Sequence, residues 1–381
     1  MKKDKSENIS QHGLFLTRLS TWIRLLRQNR IDPEYRKKAF YITLMVILTF
    51  PIQLLQRIIY YPSYRKVEKM GKAPLFVIGH WRSGTTHLHY IMSRDPQFGF
   101  VSNYLTFAIT MCLIGRGWLN RFIALFVPRT RPQDNVRISI DTPQEEELPL
   151  ANLTDCVAMH SFHFPRNQSY FRKYNLFQDI KRREKRRWKK AYREMVNITK
   201  IYVDHKRLLL KNPNNTGRML ELLEIYPDAN FIFIYRNPFE VYRSTVKLFD
   251  TVFKTQFLQN ISDQEIEEII FYNYRTIMQR YLEQRKEIPQ KQLIEVCYEE
   301  LEKDPLGIVR QVYDRLELTG FEEAHSHMKE YLKGVKNYRK SPFKELEPRI
   351  VQRIQDEWGF AFDAWGYSRD YESYKLSQMD N

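Results

Sequence analysis

The chain has 381 residues, 43% of them hydrophobic and 14% aromatic, enough for one large α/β domain with insertions or for two small domains. Lysine and arginine number 61 against 45 acidic residues, and the net charge of +16 fits nucleic acid, an anionic membrane surface or a polyanionic small molecule. The three cysteines, Cys112, Cys156 and Cys297, lie far apart with no CxxC pair, which excludes a disulfide framework and a cysteine zinc site and makes a reducing, cytoplasmic setting the expectation.

Residues 1–38 are polar and basic and lack an apolar core followed by a small-residue cleavage site, so no signal peptide is expected. Ala39 to Gln56 carries no charge, and its length sits at the threshold for a membrane span. Pro51, Gln53 and Gln56 weaken a span, and basic residues stand on both sides (Arg36 to Lys38, then Arg57, Arg65 and Lys66). The pattern favours a packed or interfacial helix, with peripheral attachment to the inner face of a membrane as the associated expectation. Residues 1–70 therefore read as a basic N-terminal segment with an apolar helix, and residues 71–381 as the main domain.

That domain opens on Leu75 to Ile78, a buried-strand pattern, followed by Gly79-His80-Trp81-Arg82-Ser83-Gly84 and a helix-compatible run from Thr85. Strand, tight loop and helix N-terminus present backbone N–H groups and a helix dipole to a phosphate. The spacing Gly79-x4-Gly84 matches a nucleotide P-loop, but Thr85 stands where that motif has lysine. ATP chemistry is disfavoured accordingly, and Arg82 supplies an alternative cation.

An insertion from about 98 to 205 follows, aromatic and broken by prolines in its first part, the kind of element that builds an acceptor pocket on an α/β scaffold. The basic run Lys181 to Lys190 lies in a predicted helix, and either a solvated face or an anionic partner explains it. Further predicted strands are Arg207 to Lys211, Asn230 to Tyr235, ending in Arg236, and Leu293 to Tyr298. Helices are predicted from Asn237-Pro238 onward, over 262–286 and over Pro305 to Leu316, and the tail is basic and aromatic. Strands alternating with helices predict a parallel sheet with helices on both faces. Ligands of such sheets bind beyond the strand C-termini, where Gly79–Thr86, Lys211 and Arg236–Ser244 should meet. A loop for one phosphate and an Arg/Ser pair for another imply a ligand with two phosphate groups.

On these motifs the chain resembles the superfamily of sulfotransferases that use 3′-phosphoadenosine 5′-phosphosulfate (PAPS), in a bacterial branch with an Arg-Ser-Gly-Thr-Thr loop. The resemblance implies an α/β fold with a P-loop-type central parallel sheet flanked by helices, and no metal requirement. It implies that Arg82, Ser83, Gly84, Thr85 and Thr86 hold the 5′-phosphosulfate and that Arg236 and Ser244 hold the 3′-phosphate. Tyr298 matches a tyrosine near the adenine, and His87 replaces a tryptophan that often stacks there. Leu210-Lys211-Asn212-Pro213 is similar to the family's Leu-Lys-x-Pro element, and Lys336, Arg339 and Lys340 loosely match its 3′-phosphate loop. A catalytic histidine often follows the lysine matched by Lys211; Asn212 to Asn215 supply none.

The base is therefore sought elsewhere. Asp141 to Leu148, with adjacent Glu145, Glu146 and Glu147, is similar to an acidic element of this branch, and three neighbouring carboxylates raise a pKa if buried. Thr142 and Glu145 also read as a capping box, which leaves Glu146 as the preferred base and Glu145, Glu147 and His80 as alternatives. Lys211 and Arg82 are the candidates for stabilising the leaving group. The apolar insertion suggests a lipophilic alcohol as acceptor (a sterol, steroid or lipid), with a glycan or small polar acceptor as the alternative. A P-loop nucleotide kinase and a non-catalytic membrane or nucleic-acid binder are the other readings, and no nucleic-acid partner is expected.

Overall fold

The structure, a computed structural model, describes residues 12–68, 70–124, 130, 138–335 and 345–379. Two N-terminal helices come first, α1 (Leu19–Gln28) and α2 (Arg36–Val67). Strand β1 (Leu75–Ile78) leads through the glycine loop into α3 (Thr85–Met92). The insertion then holds β2 (Phe98–Gly99), α4 (Asn103–Ala108), α5 (Trp118–Ala124) and α6 (Glu147–Leu153). It continues with the short helices α7 (His160–His163), α8 (Gln168–Phe171) and α9 (Lys173–Leu176) and closes on the long α10 (Arg182–Tyr202). β3 (Arg207–Lys211), α11 (Met219–Leu223), β4 (Asn230–Tyr235), α12 (Pro238–Thr251), α13 (Asp263–Gln284) and β5 (Leu293–Cys297) complete the sheet. Helices α14 (Tyr298–Lys303), α15 (Pro305–Arg315), α16 (Phe321–Val335), α17 (Pro348–Trp365) and α18 (Tyr371–Met379) follow.

The strands run in the order β2-β3-β1-β4-β5 with every pairing parallel. β1, first in sequence, lies at the centre, between β3 (Val77 opposite Lys211) and β4 (Val77 opposite Ile232). All four of its side chains are buried, which is why it reads as a continuous apolar run rather than an alternating one. Parallel alignment brings the ends of β1, β3 and β4 to one edge.

The N-terminal helices pack onto the insertion. Arg18 forms an ion pair with Glu194 of α10, and Trp22 Nε1 donates to Thr43 Oγ1 at 2.9 Å. Gln56 is buried: its Nε2 donates to the Ile109 carbonyl at 3.0 Å, and its Oε1 accepts from Leu113 N at 2.7 Å. The glutamines that weaken α2 as a span thus anchor it to the domain, Gln56 to backbone beyond α4 and Gln53 to the Thr17 carbonyl before α1. The helix itself runs from Arg36 to Val67, longer than its uncharged stretch, because Pro51 and Pro62 are accommodated inside it.

The basic run in α10 is a solvated face with internal partners. Lys185 and Lys189 pair with Glu224, and Arg187 pairs with buried Asp155 at 2.8 Å. Trp188 within the run faces the core at 0% exposure.

Candidate active site

The loop after β1 bends through three residues of positive φ, Gly79 (142°), Arg82 (71°) and Gly84 (99°). Gly79 requires glycine twice over: its φ is left-handed, and a Cβ there would stand 2.3 Å from the Ile234 carbonyl oxygen of β4. Its N–H donates to Thr216 Oγ1 at 2.8 Å, which ties the loop to the segment following β3. Gly84 is the N-cap of α3, and a Cβ there would meet the Tyr298 ring at 2.1 Å. Successive N–H groups in such a curl, ending on a helix N-terminus, form an anion-binding concavity.

The predicted phosphate ligands converge on this loop. Arg82 Nε donates to Ser244 Oγ of α12 at 2.6 Å. Arg236, one residue beyond β4, donates from Nη1 to the Arg82 carbonyl at 3.2 Å and lies 4.2 Å over the Tyr298 ring. Glu240 flanks it, 3.4 Å from Arg236 and 3.3 Å from Arg243. Tyr298 opens α14 instead of ending β5, so its ring turns back against Gly84. Thr85 is buried in the first turn of α3, with Thr86 and His87 half-buried beside it. Lys336, Arg339 and Lys340 lie outside the described residues.

Four polar atoms in or beside this loop are buried without a partner among the described residues, His80 Nε2, Trp81 Nε1, Ser83 Oγ and Arg236 Nε, and the last two belong to the predicted phosphate ligands. Orphaned buried donors are uncommon, and together with the N–H curl and the Arg82/Ser244 contact they fit a phosphorylated ligand. By the chemistry of the donor set, the residues present fit PAPS.

The second half of the site lies at the end of β3. Lys211, 2% exposed, places its Nζ 2.6 Å from Glu145 Oε1, and the Glu145 side chain keeps 18% of its surface exposed. The capping-box reading of Thr142 and Glu145 does not hold, because α6 starts at Glu147. Thr142 Oγ1 instead accepts from Ser139 N at 2.7 Å, and the Glu145 carboxylate is left for Lys211.

The three glutamates occupy three environments. Glu147 is fully buried in an ion pair with Arg218, also fully buried, and accepts from Asn212 Nδ2 at 2.7 Å. Glu146 is fully buried too: its Oε1 accepts from Tyr192 OH at 3.0 Å and Asn215 Nδ2 at 2.5 Å, while Oε2 has no partner among the described residues. Burial pushes the Glu146 carboxyl up from 4.5 to about 7, opposed in part by its hydrogen bond from Tyr192. Desolvation, rather than repulsion among the three, is thus the main cause, since Lys211 and Arg218 each hold one neighbour.

His80 is also inside. Its Nδ1 lies 2.9 Å from the Trp81 carbonyl, its ring packs edge-on against Tyr274 at 4.9 Å, and burial lowers its pKa to about 3. The imidazole is neutral, with Nε2 buried and lacking a partner among the described residues.

Sequence reasoning missed Thr216, Asn215, Arg218, Tyr192 and Glu240. The run Asn212-Pro213-Asn214-Asn215-Thr216-Gly217-Arg218 is the one available signal, because so many polar residues directly after a buried strand need buried partners. Nothing local distinguishes Tyr192 on α10.

Comparison with known proteins places these features in context. A family model described as "Sulfotransferase family" matches residues 74–323. The chain is 28% identical over 361 residues, 92% of this chain and 90% of the relative, to an omega-hydroxy-beta-dihydromenaquinone-9 sulfotransferase, Stf3, of Mycobacterium bovis, and equally to that of Mycobacterium tuberculosis. Among solved structures, sulfotransferase STF9 of Mycobacterium avium superposes with a TM-score of 0.67 at 16% identity, covering 97% of this chain and 93% of that one. Sulfotransferase STF1 of Mycobacterium tuberculosis gives 0.62 at 16%, covering 93% of each chain. These two support the fold.

Proposed function

The chain belongs to the sulfotransferase family and is a transferase, and from that premise we propose that it moves a sulfuryl group from PAPS to the hydroxyl of a lipophilic alcohol, releasing 3′,5′-bisphosphoadenosine. Family membership displaces the nucleotide-kinase alternative. The observation that carries the reading is the juxtaposition, at one sheet edge, of the positive-φ loop with its Arg82/Ser244 contact and the Lys211–Glu145 pair.

In this proposal the loop N–H groups, Ser83, Thr85 and Thr86 bind the 5′ end of the donor, while Arg236 and Ser244 bind its 3′-phosphate. Tyr298 bounds the nucleotide against Gly84. The donor supplies an electrophilic sulfur and a bisphosphate leaving group. Lys211 and Arg82 hold positive charge where the bridging oxygen becomes negative, the electrostatic contribution that usually dominates such transfers. Glu145 takes the acceptor's proton. We prefer Glu145 to Glu146 because it is partly open to solvent and joined to Lys211, whereas Glu146 and His80 are fully enclosed. Glu146 then serves as a neutral or shared-proton brace for Tyr192 and Asn215.

The acceptor class follows from two supports. The insertion that carries Glu145 is packed with buried aromatic and aliphatic side chains such as Tyr104, Leu105 and Ile109. The menaquinone-derived substrate in the relative's name is also a lipid. A cytoplasmic setting belongs to the same proposal, supported by three free cysteines, two of them buried. The test is transfer of radiolabelled sulfur from PAPS to sterol or isoprenoid alcohols in vesicles, beside soluble sugars. Labelled lipid supports the proposal; label found in the sugars alone overturns the acceptor class.

A further inference from the structure

The outer face of α2 is apolar from Phe40 to Tyr61, with Arg57 the one exposed charge in that stretch. Ala39, Ile42, Val46, Gln53, Gln56, Tyr64 and Val67 form one buried stripe against the domain. Opposite it stand exposed aliphatic and aromatic side chains: Phe40 at 64%, Ile47 at 55%, Leu48 at 60%, Leu55 at 49%, Ile58 at 64% and Ile59 at 53%. From Phe40 to Tyr61 this face extends roughly 30 Å at 1.5 Å per residue. Isolated exposed apolar residues need no explanation, but a continuous strip of this length marks an interaction surface.

Charge selects the occupant. Arg36 to Val67 contains no acidic residue. Exposed Arg36 and Lys37 stand at one end of the helix, exposed Arg65 and Lys66 at the other, and exposed Arg57 between them. A second copy docking antiparallel on the strip would bring the basic end of each helix against the basic end of its partner. An anionic lipid surface meets both ends favourably. Tyr41 and Tyr61 of α2 are exposed as well, residues suited to the headgroup boundary.

The buried stripe also fixes the orientation. Packing against the domain runs from Ala39 to Val67, and Gln53 and Gln56 are bonded to protein backbone midway. A helix held this way along its length cannot cross a bilayer without carrying the polar domain in with it.

We propose that α2 lies in the plane of an anionic bilayer, its Phe40–Tyr61 face buried at the headgroup–acyl boundary with the domain on one side. This surface is independent of the sulfuryl-transfer reading, and its test does not use activity. Purified full-length protein is floated with phosphatidylcholine vesicles and with vesicles containing phosphatidylglycerol. Ile47→Glu/Leu55→Glu/Ile58→Glu is run in parallel, with bisphosphate binding and thermal melting as controls of folding. The expected result is flotation with anionic vesicles and a loss of affinity of roughly a thousandfold or more in the triple variant, since each of the three buried aliphatic side chains carries about tenfold or more. Melting and bisphosphate binding should stay unchanged, because the three side chains point away from the domain. Three results overturn the proposal: no binding to either vesicle, a dimer that the triple variant dissolves, or termini protected from protease on opposite sides of sealed vesicles.

Discussion

Replacing Glu145 with glutamine removes a negative charge and preserves its shape. Lys211 Nζ, 2.6 Å from Glu145 Oε1 and 2% exposed, keeps an amide oxygen to donate to. Exchanging a charge-assisted hydrogen bond for a neutral one costs about 1 kcal/mol, so the fold should survive with a melting point lower by about a degree. Loss of a positioned base slows proton removal by about 10²–10⁴-fold, a barrier increase of about 3–5 kcal/mol. The affinity for 3′,5′-bisphosphoadenosine should hold or increase, because Lys211 no longer shares its charge with a carboxylate. The expected signature is therefore a large fall in kcat with unimpaired bisphosphate binding, read by single-turnover transfer of labelled sulfur and by calorimetry. Turnover within about threefold of wild type would refute Glu145 as the base. Loss of bisphosphate binding with turnover unchanged at saturating donor would refute the division of labour between the two halves of the site.

Glu146 gives a pH prediction. Its folded pKa is raised from 4.5 to about 7, so stability from this group is full below about 4.5 and falls as pH rises through about 7. Glu146→Gln should remove that dependence, gaining on wild type by up to about 3 kcal/mol between the two ends of the window in urea melts; a constant difference across pH would show that Glu146 is not held neutral. Arg218→Met strands the Glu147 carboxylate in the core, and breaking such a pair costs about 3–5 kcal/mol, read as a lower denaturant midpoint. Arg236→Ala should weaken bisphosphate binding by about 10–100-fold, the worth of hydrogen bonds to a charged group, with the melting point of the unliganded protein little changed. Gly79→Ala forces a Cβ to 2.3 Å from the Ile234 carbonyl oxygen, and the protein should either fail to fold or lose bisphosphate binding.

The architecture was legible in the sequence where burial is two-sided. β1, β3 and β4 are continuous apolar runs because neighbouring strands and helices on both faces enclose them, and their ends carry Gly79, Lys211 and Arg236 in a fixed order. The tight loop after β1 was legible because its backbone needs glycine at Gly79 and Gly84. The partners of Glu145 and Glu146 were not, since adjacent residues on a turn point in different directions. Which of them meets Lys211 and which meets Tyr192 depends on how α6 and α10 pack, a long-range outcome absent from the local pattern. The capping-box misreading has the same origin: a matching spacing around Thr142 yielded to a stronger partner, the buried Lys211 cation.

A calorimetric titration of the purified protein with 3′,5′-bisphosphoadenosine, followed by ATP with magnesium, decides whether the loop and Arg236 hold a bisphosphate nucleotide. Saturable bisphosphate binding that Arg236→Ala weakens, with little heat from ATP, is the predicted result. Preference for ATP, or bisphosphate binding indifferent to Arg236, would contradict it.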